Sequence, residues 1–287
     1  MRRVAPLSGG LRNATYRLET ASGAPAVLQL LEEPALASGR VELARRLPAV
    51  LAEVGVPSPG LLDADPDGHP PWLLRRWVPG RPGSEVRTAA EVRRLATGTG
   101  RWLAALASAD PAGLRLYRAW ARPQALEGLV DRWLARLAPP VDVADTLTAD
   151  VVLARRQARP AVLAHGDCSP RNTVVADDGT PVALIDVEFA RWADPRFDAA
   201  WWQVVAALDD PPRSQALRRH LRAAAGLGVG DAPVEAALGR LRLLEVAVHT
   251  ARRGEEGAGA WQERLTAATR ACRQARTVPG AVQRGHA

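Results

Sequence analysis

Residues 161–198 read AVLAHGDCSPRNTVVADDGTPVALIDVEFARWADPRFD, and this stretch decides the fold. Two short apolar runs, 172–175 and 181–185, flank Asp178-Gly179. An Asp-Gly pair between such runs signals a hairpin, because it readily accepts the positive φ of a tight turn. Closing the hairpin carries His165, Asp167 and Asn172, which precede its first strand, to the side of Asp186 and Glu188 at the end of its second. Asp167, Asn172 and Asp186 then converge at one end of the hairpin. Asn172 and Asp186 are hard oxygen ligands of the kind that suit Mg²⁺ bound to phosphates, since that ion takes few protein ligands and keeps water or phosphate oxygens. Asp167 is left to accept a hydroxyl proton, and phosphoryl transfer asks little more of a protein than positioning, charge neutralisation and an oriented nucleophile.

Working outward toward the N-terminus, 4–7 and 15–20 read as strands joined through SGGLRN, and 26–31 as another strand after the turn at 22–25. Val41, Leu43, Leu47, Val50, Leu51 and Val54 recur at helical spacing and predict a helix over 39–54. PWLLRRWV, at 71–78, reads as a further strand ending at Pro79-Gly80. Beyond Pro82 the pattern turns helical over 88–109, 125–137 and 144–157, and after the hairpin over 198–208, 214–225, 233–251 and 260–276, with 278–287 frayed. The expected fold class is α+β. A small N-terminal lobe, 1–79, holds an antiparallel sheet and one helix, and a larger, mainly helical lobe, 80–287, carries the hairpin.

Composition narrows the chemistry. The 287 residues hold 38 basic side chains against 31 acidic ones, a net charge of +7, and every basic residue is arginine. Without lysine there is no Schiff base, no lysine general base and no GxxxxGK[ST] phosphate loop. The arginines are spread along Ala/Leu-rich helices as solvated faces rather than clustered, which argues against a nucleic-acid partner. Cys168 and Cys272 are too few for a disulfide framework, so a reducing, cytoplasmic setting is expected. MRRVAPLSGGL lacks the apolar run of a signal peptide, and no stretch is apolar enough to cross a membrane. Cys168 reads as a small buried residue, His165 as a structural imidazole fixing its loop, and Asp198 as a helix N-cap and loop anchor.

HGDCSPRN, LIDVE and ADPRFDAA, at 165–172, 184–188 and 193–200, resemble the aminoglycoside phosphotransferase and choline kinase-like family, relatives of protein kinases that phosphorylate small molecules. LSGGLRNATYRLET at 7–20 is similar to that family's nucleotide loop, VELARRL at 41–47 to its Glu-bearing helix, and LLRRWVPGRP at 73–82 to its interlobe hinge. The resemblance implies a protein-kinase-like two-lobe fold, with ATP or GTP and Mg²⁺ as cofactors and the hydroxyl of a small molecule as acceptor. It implies Asp167 as catalytic base and Asn172 and Asp186 as metal ligands. Ser8, Gly9, Gly10 and Arg12 would lie over the nucleotide phosphates, Arg76 to Val78 beside the base, and Glu42 would be the helix glutamate.

The chain departs from the family at one place. AVLQLLE, at 26–32, puts Gln29 where protein kinases carry a lysine that holds the α- and β-phosphates. Either another cation covers the phosphates, with Arg171 and Arg12 as the candidates, or the cleft is a non-catalytic ligand-binding or regulatory site. The acceptor is expected to be an antibiotic or other specialised metabolite, for resistance or biosynthesis. Glu188, Glu245, Glu255 and Glu256 are the acids that a cationic acceptor would meet. Oligomeric state stays open at this point.

Overall fold

The computed structural model describes residues 3–7, 13–20, 22–254 and 257–277. The expected positions Ser8, Gly9, Gly10, Arg12, Glu255 and Glu256, and the segment 278–287, lie outside them. Two compact units form: Met1–Ala121 with Pro160–Val229, and Arg122–Arg159 with Gly230–Ala287.

The first unit begins with strands β1 (Arg3–Pro6), β2 (Ala14–Glu19) and β3 (Pro25–Leu30), followed by helix α1 (Pro34–Glu53) and strands β4 (Leu61–Asp65) and β5 (Trp72–Arg76). They make an antiparallel sheet in the order β1-β2-β3-β5-β4. Helix α1 opens with Pro34 in its first turn, where a missing N–H costs nothing. Its buried Ala37, Val41, Ala44, Leu47 and Leu51 fall at three- and four-residue steps, an apolar stripe whose first three members pack with Leu31 and Leu73 of the sheet side while Leu47 and Leu51 join the core around Val56, Val86 and Leu95. The helix therefore starts five residues before the sequence expectation, and β4 was not foreseen, because LLDAD lacks the alternation that marks a half-buried strand.

The chain continues through β6 (Arg81–Pro82) into helix α2 (Ala89–Leu106), then α3 (Pro123–Leu137), α4 (Val141–Arg156), β7 (Val162–Ala164), β8 (Thr173–Val175), β9 (Pro181–Leu184), β10 (Arg191–Ala193), α5 (Phe197–Asp209), α6 (Pro211–Ala224), α7 (Ala232–Arg253) and α8 (Ala258–Thr277). A reciprocal capping box starts α2: the Thr88 hydroxyl accepts from the Glu91 amide at 3.2 Å and the Glu91 carboxylate from the Thr88 amide at 2.7 Å. Helix α6 crosses α2 at Gly100, where an added Cβ would stand 2.4 Å from the Leu221 carbonyl oxygen. The expected hairpin forms as β8–β9, with β6 alongside β8. Only Gly179 takes a positive φ in its turn; Asp178 instead accepts hydrogen bonds from the Thr180 amide and hydroxyl.

The second unit packs α3, α4, α7 and α8. In its interior Arg240 on α7 donates a two-pronged pair of 2.7 Å bonds to Asp150 on α4, both side chains buried. No described helix is long and apolar enough to cross a membrane.

Candidate active site

The loop between β7 and β8 holds His165, Asp167 and Asn172, and its backbone is set by a left-handed Gly166 (φ +85°). A Cβ at Gly166 would lie 1.9 Å from the Phe189 carbonyl oxygen, so no other residue fits. The buried Asp198 carboxylate accepts from the amides of His165 (2.6 Å) and Gly166 (2.9 Å). Asp198 is thus the loop anchor read from the sequence. It is not the N-cap of α5; Arg196 occupies that place, and the side chain of Asp198 turns back to the loop. Burial raises the Asp198 pKa, opposed by His165 and the two amides.

His165 is the structural imidazole that was expected. Its Nδ1 accepts from the Asp167 amide at 3.3 Å, so Nε2 carries the proton and donates to the Ile185 carbonyl at 2.9 Å. That bond ties the loop to the end of β9. The Ile185 amide reinforces it by donating to the Asn172 carbonyl at 3.0 Å. Cys168 beside them is fully buried, and burial pushes its thiol pKa well up, which leaves it inert.

Both oxygens of Asp167 are held. Trp201 Nε1 on α5 donates to Oδ1 at 2.8 Å, and Asn172 Nδ2 donates to Oδ2 at 3.0 Å and to the Asp167 carbonyl at 2.9 Å. With its amide nitrogen engaged, Asn172 keeps Oδ1 as an acceptor. Asp186 follows β9 with a left-handed backbone (φ 61°), a conformation that costs a non-glycine residue about 1–3 kcal/mol and is typical of sites where geometry serves function. Burial raises its pKa and nearby Asp167 adds to this, while Arg75, His165 and Gln29 oppose it. An amide oxygen and a carboxylate with open acceptor capacity fit Mg²⁺. No cluster of three His, Cys, Asp or Glu able to hold a metal occurs among the described residues.

Gln29 is buried on β3, and its Nε2 donates to Asp186 Oδ1 at 3.4 Å. It faces Asp186. Glu188 is buried in the turn after Asp186 and accepts from Asn13 Nδ2 at 3.1 Å, while Asn13 Oδ1 accepts from the Glu32 amide at 3.3 Å. The two arginines at the end of β5 divide: Arg75 points inward and is buried, Arg76 is exposed and its amide donates to Gly60. Val78 is partly buried beyond the strand.

Other expected residues are engaged elsewhere. Glu42 is half-exposed on α1 and pairs with Arg46 at 2.9 Å, one helical turn on, rather than with β3. Arg171 lies half-exposed in a fork with Asp209, which accepts from Nε at 2.7 Å and raises the guanidinium pKa. Glu245, in the second unit, is buried and bonded to Arg242. Three participants escaped the sequence reading: Asn13, directly after the glycine-bearing segment, Trp201 in the Trp-Trp pair of α5, and Arg75. The pleat of LLRR was the available signal for Arg75, because one of two adjacent arginines must share a face with inward Leu73.

A model of the phosphotransferase enzyme family matches residues 3–244. No curated protein matches the chain by sequence. Among solved structures, the GDP and kanamycin complex of APH(2'')-IIIa is similar with a TM-score of 0.71 and 17% identity, over 96% of this chain and 94% of that one. The macrolide 2'-phosphotransferase MphH from Brachybacterium faecium is similar with a TM-score of 0.68 and 22% identity, over 93% and 91%. The aminoglycoside phosphotransferase APH(3'')-Id from Streptomyces rimosus, solved with ADP and streptomycin, has a TM-score of 0.60 and 20% identity, over 84% and 92%. The kinase-like fold expected from the sequence is therefore the fold of this chain.

Proposed function

The chain belongs to the phosphotransferase enzyme family, and from this we propose that it moves the γ-phosphate of ATP or GTP to a hydroxyl of a small molecule, an antibiotic or related specialised metabolite. The observation that carries the reading is the fixing of both Asp167 oxygens, by Trp201 from α5 and by Asn172, in the loop that leads into the β8–β9 hairpin, which Asp186 follows. Asp167 takes the proton from the acceptor hydroxyl. The hydroxyl oxygen bonds to the γ-phosphorus as the bond from phosphorus to the bridging oxygen breaks, and the nucleoside diphosphate leaves with that electron pair. Asn172 Oδ1 and Asp186 would hold Mg²⁺, which when bound offsets charge on the phosphates. His165 and Asp198 keep the loop in place through the bonds given above. GDP and ADP in the similar structures support a nucleoside triphosphate as donor, and kanamycin, streptomycin and the macrolide enzyme support an antibiotic-like acceptor.

In this reading Asp167 is the base and Asn172 and Asp186 are the metal ligands. Glu188 is held by the Asn13 amide nitrogen. Incubating the protein with Mg-ATP or Mg-GTP and a panel of hydroxylated aminoglycosides, macrolides and amino-alcohols tests the proposal. At least one compound is expected to release nucleoside diphosphate and gain one phosphate by mass spectrometry. Diphosphate release that no compound stimulates, with no phosphorylated product, would refute it.

A further inference from the structure

Gln29 gives β3 no charge, yet the same face of the sheet carries one. In register, Gln29 stands opposite Leu73 and Val27 opposite Arg75, so Gln29 and Arg75 share a face as diagonal neighbours on adjacent strands, within reach for long side chains. Arg75 is 5% exposed, and its Nε, Nη1 and Nη2 have no hydrogen-bond partner among the described residues. Burying a guanidinium without partners is costly, and buried polar groups in folded proteins are otherwise paired. Arg240, also buried, has its two-pronged bond to Asp150. Burial lowers the Arg75 pKa, and the charges of Asp186 and Glu188 oppose this, which sets the guanidinium in the field of both acids.

We propose that Arg75 is the phosphate-binding cation of this enzyme, its guanidinium reaching from β5 into the space that a basic residue at position 29 would fill and binding the nucleotide phosphates beside Asp186. The inference rests on the phosphotransferase reading above. Arginine suits the task because its planar fork stays charged when buried and matches phosphate oxygens in pairs. Three unpartnered nitrogens are then donors kept for a ligand. Arg171, the alternative, has its fork closed on Asp209 at the surface. The positive charge has moved one strand over, and the neutral Gln29 leaves room for it while donating to Asp186.

The test titrates wild type, R75M, R75K and Q29K/R75M with Mg-ATP and Mg-GTP and, separately, with adenosine and guanosine. R75M is expected to bind triphosphate roughly 10- to 100-fold more weakly, the size of a lost charge-assisted hydrogen bond, with nucleoside affinity changed less than about twofold. R75K and Q29K/R75M are expected to recover most of the loss. Wild-type triphosphate affinity in R75M, or equal losses for nucleoside and triphosphate, would overturn the inference. If R75M does not fold, Q29K/R75M decides: triphosphate affinity near wild type supports the relocated charge, and affinity no better than for the bare nucleoside overturns it. A wild-type chain that binds neither triphosphate overturns the phosphotransferase reading and this inference together. Wild-type binding with an unaffected R75M overturns the inference alone.

Discussion

The loop from 165 to 172 and the sheet face formed by β3 and β5 meet at Asp186 and are built on opposite terms. In the loop, polar groups are paired inside the protein: Asp198 holds two amides, His165 joins Asp167 to Ile185, and Asp167 has both oxygens bonded. On the sheet face, Arg75 is buried with three nitrogens unpartnered among the described residues, and Gln29 makes one long contact. A region whose groups are satisfied internally has its geometry fixed before any ligand arrives. A region with buried, unpaired charge is completed by one. The side proposed to carry the base and the metal is thus preorganised, and the side proposed for the phosphates is complementary to an anion.

Replacing Asp167 by asparagine strikes the preorganised side hardest. Turnover should fall about 10²–10⁴-fold, the worth of a positioned general base, while Mg-nucleotide affinity by calorimetry changes little. Undiminished turnover would remove Asp167 from the mechanism. Asp150→Ala tests what pairing is worth for a buried arginine away from the site: removing the carboxylate that Arg240 grips with two bonds should cost about 3–5 kcal/mol in a denaturant titration. A smaller loss would mean that a buried guanidinium tolerates the loss of its paired carboxylate, which would weaken the contrast with Arg75.

Gly166→Ala forces a side chain onto the Phe189 carbonyl at a positive φ, and a penalty of at least about 1–3 kcal/mol is expected with loss of turnover, read by thermal unfolding and assay. The capping box at α2 offers a pH test. Hydrogen bonds from the Thr88 and Arg87 amides lower the Glu91 pKa to about 2. Its folded value lies below its unfolded one, so its contribution is complete above about pH 4.5 and is lost as pH falls toward 2. The difference in melting temperature between wild type and Glu91→Ala should therefore shrink across that window, and a constant difference would contradict the cap. The smallest effect is expected at Arg171→Ala, which opens a half-exposed pair with Asp209 worth roughly 0.2–1 kcal/mol and should leave turnover nearly unchanged. A large loss of turnover there would return the phosphate role to Arg171.

The loop was legible because its chemistry is contiguous: HGDCSPRN, a Gly-bearing turn and LIDVE lie in one hairpin, and local geometry alone brings them together. The periodic apolar stripes of the helices were legible for the same reason. What escaped depends on pairings far apart in the chain. The Asp209 that engages Arg171 lies 38 residues away, and Trp201 reaches Asp167 from 34 residues on. Arg75 and Arg76 are chemically identical neighbours, and only the pleat of β5 turns one inward and the other out. Glu42 looked like a cleft residue by motif, but its place on α1 sets it beside Arg46.

Calorimetric titration of the wild-type protein with Mg-ATP and Mg-GTP tests the central claim most directly. Saturable binding of at least one triphosphate that weakens when magnesium is withdrawn is the result expected from Asn172, Asp186 and a lysine-free phosphate site. No binding of either up to millimolar concentration would contradict it.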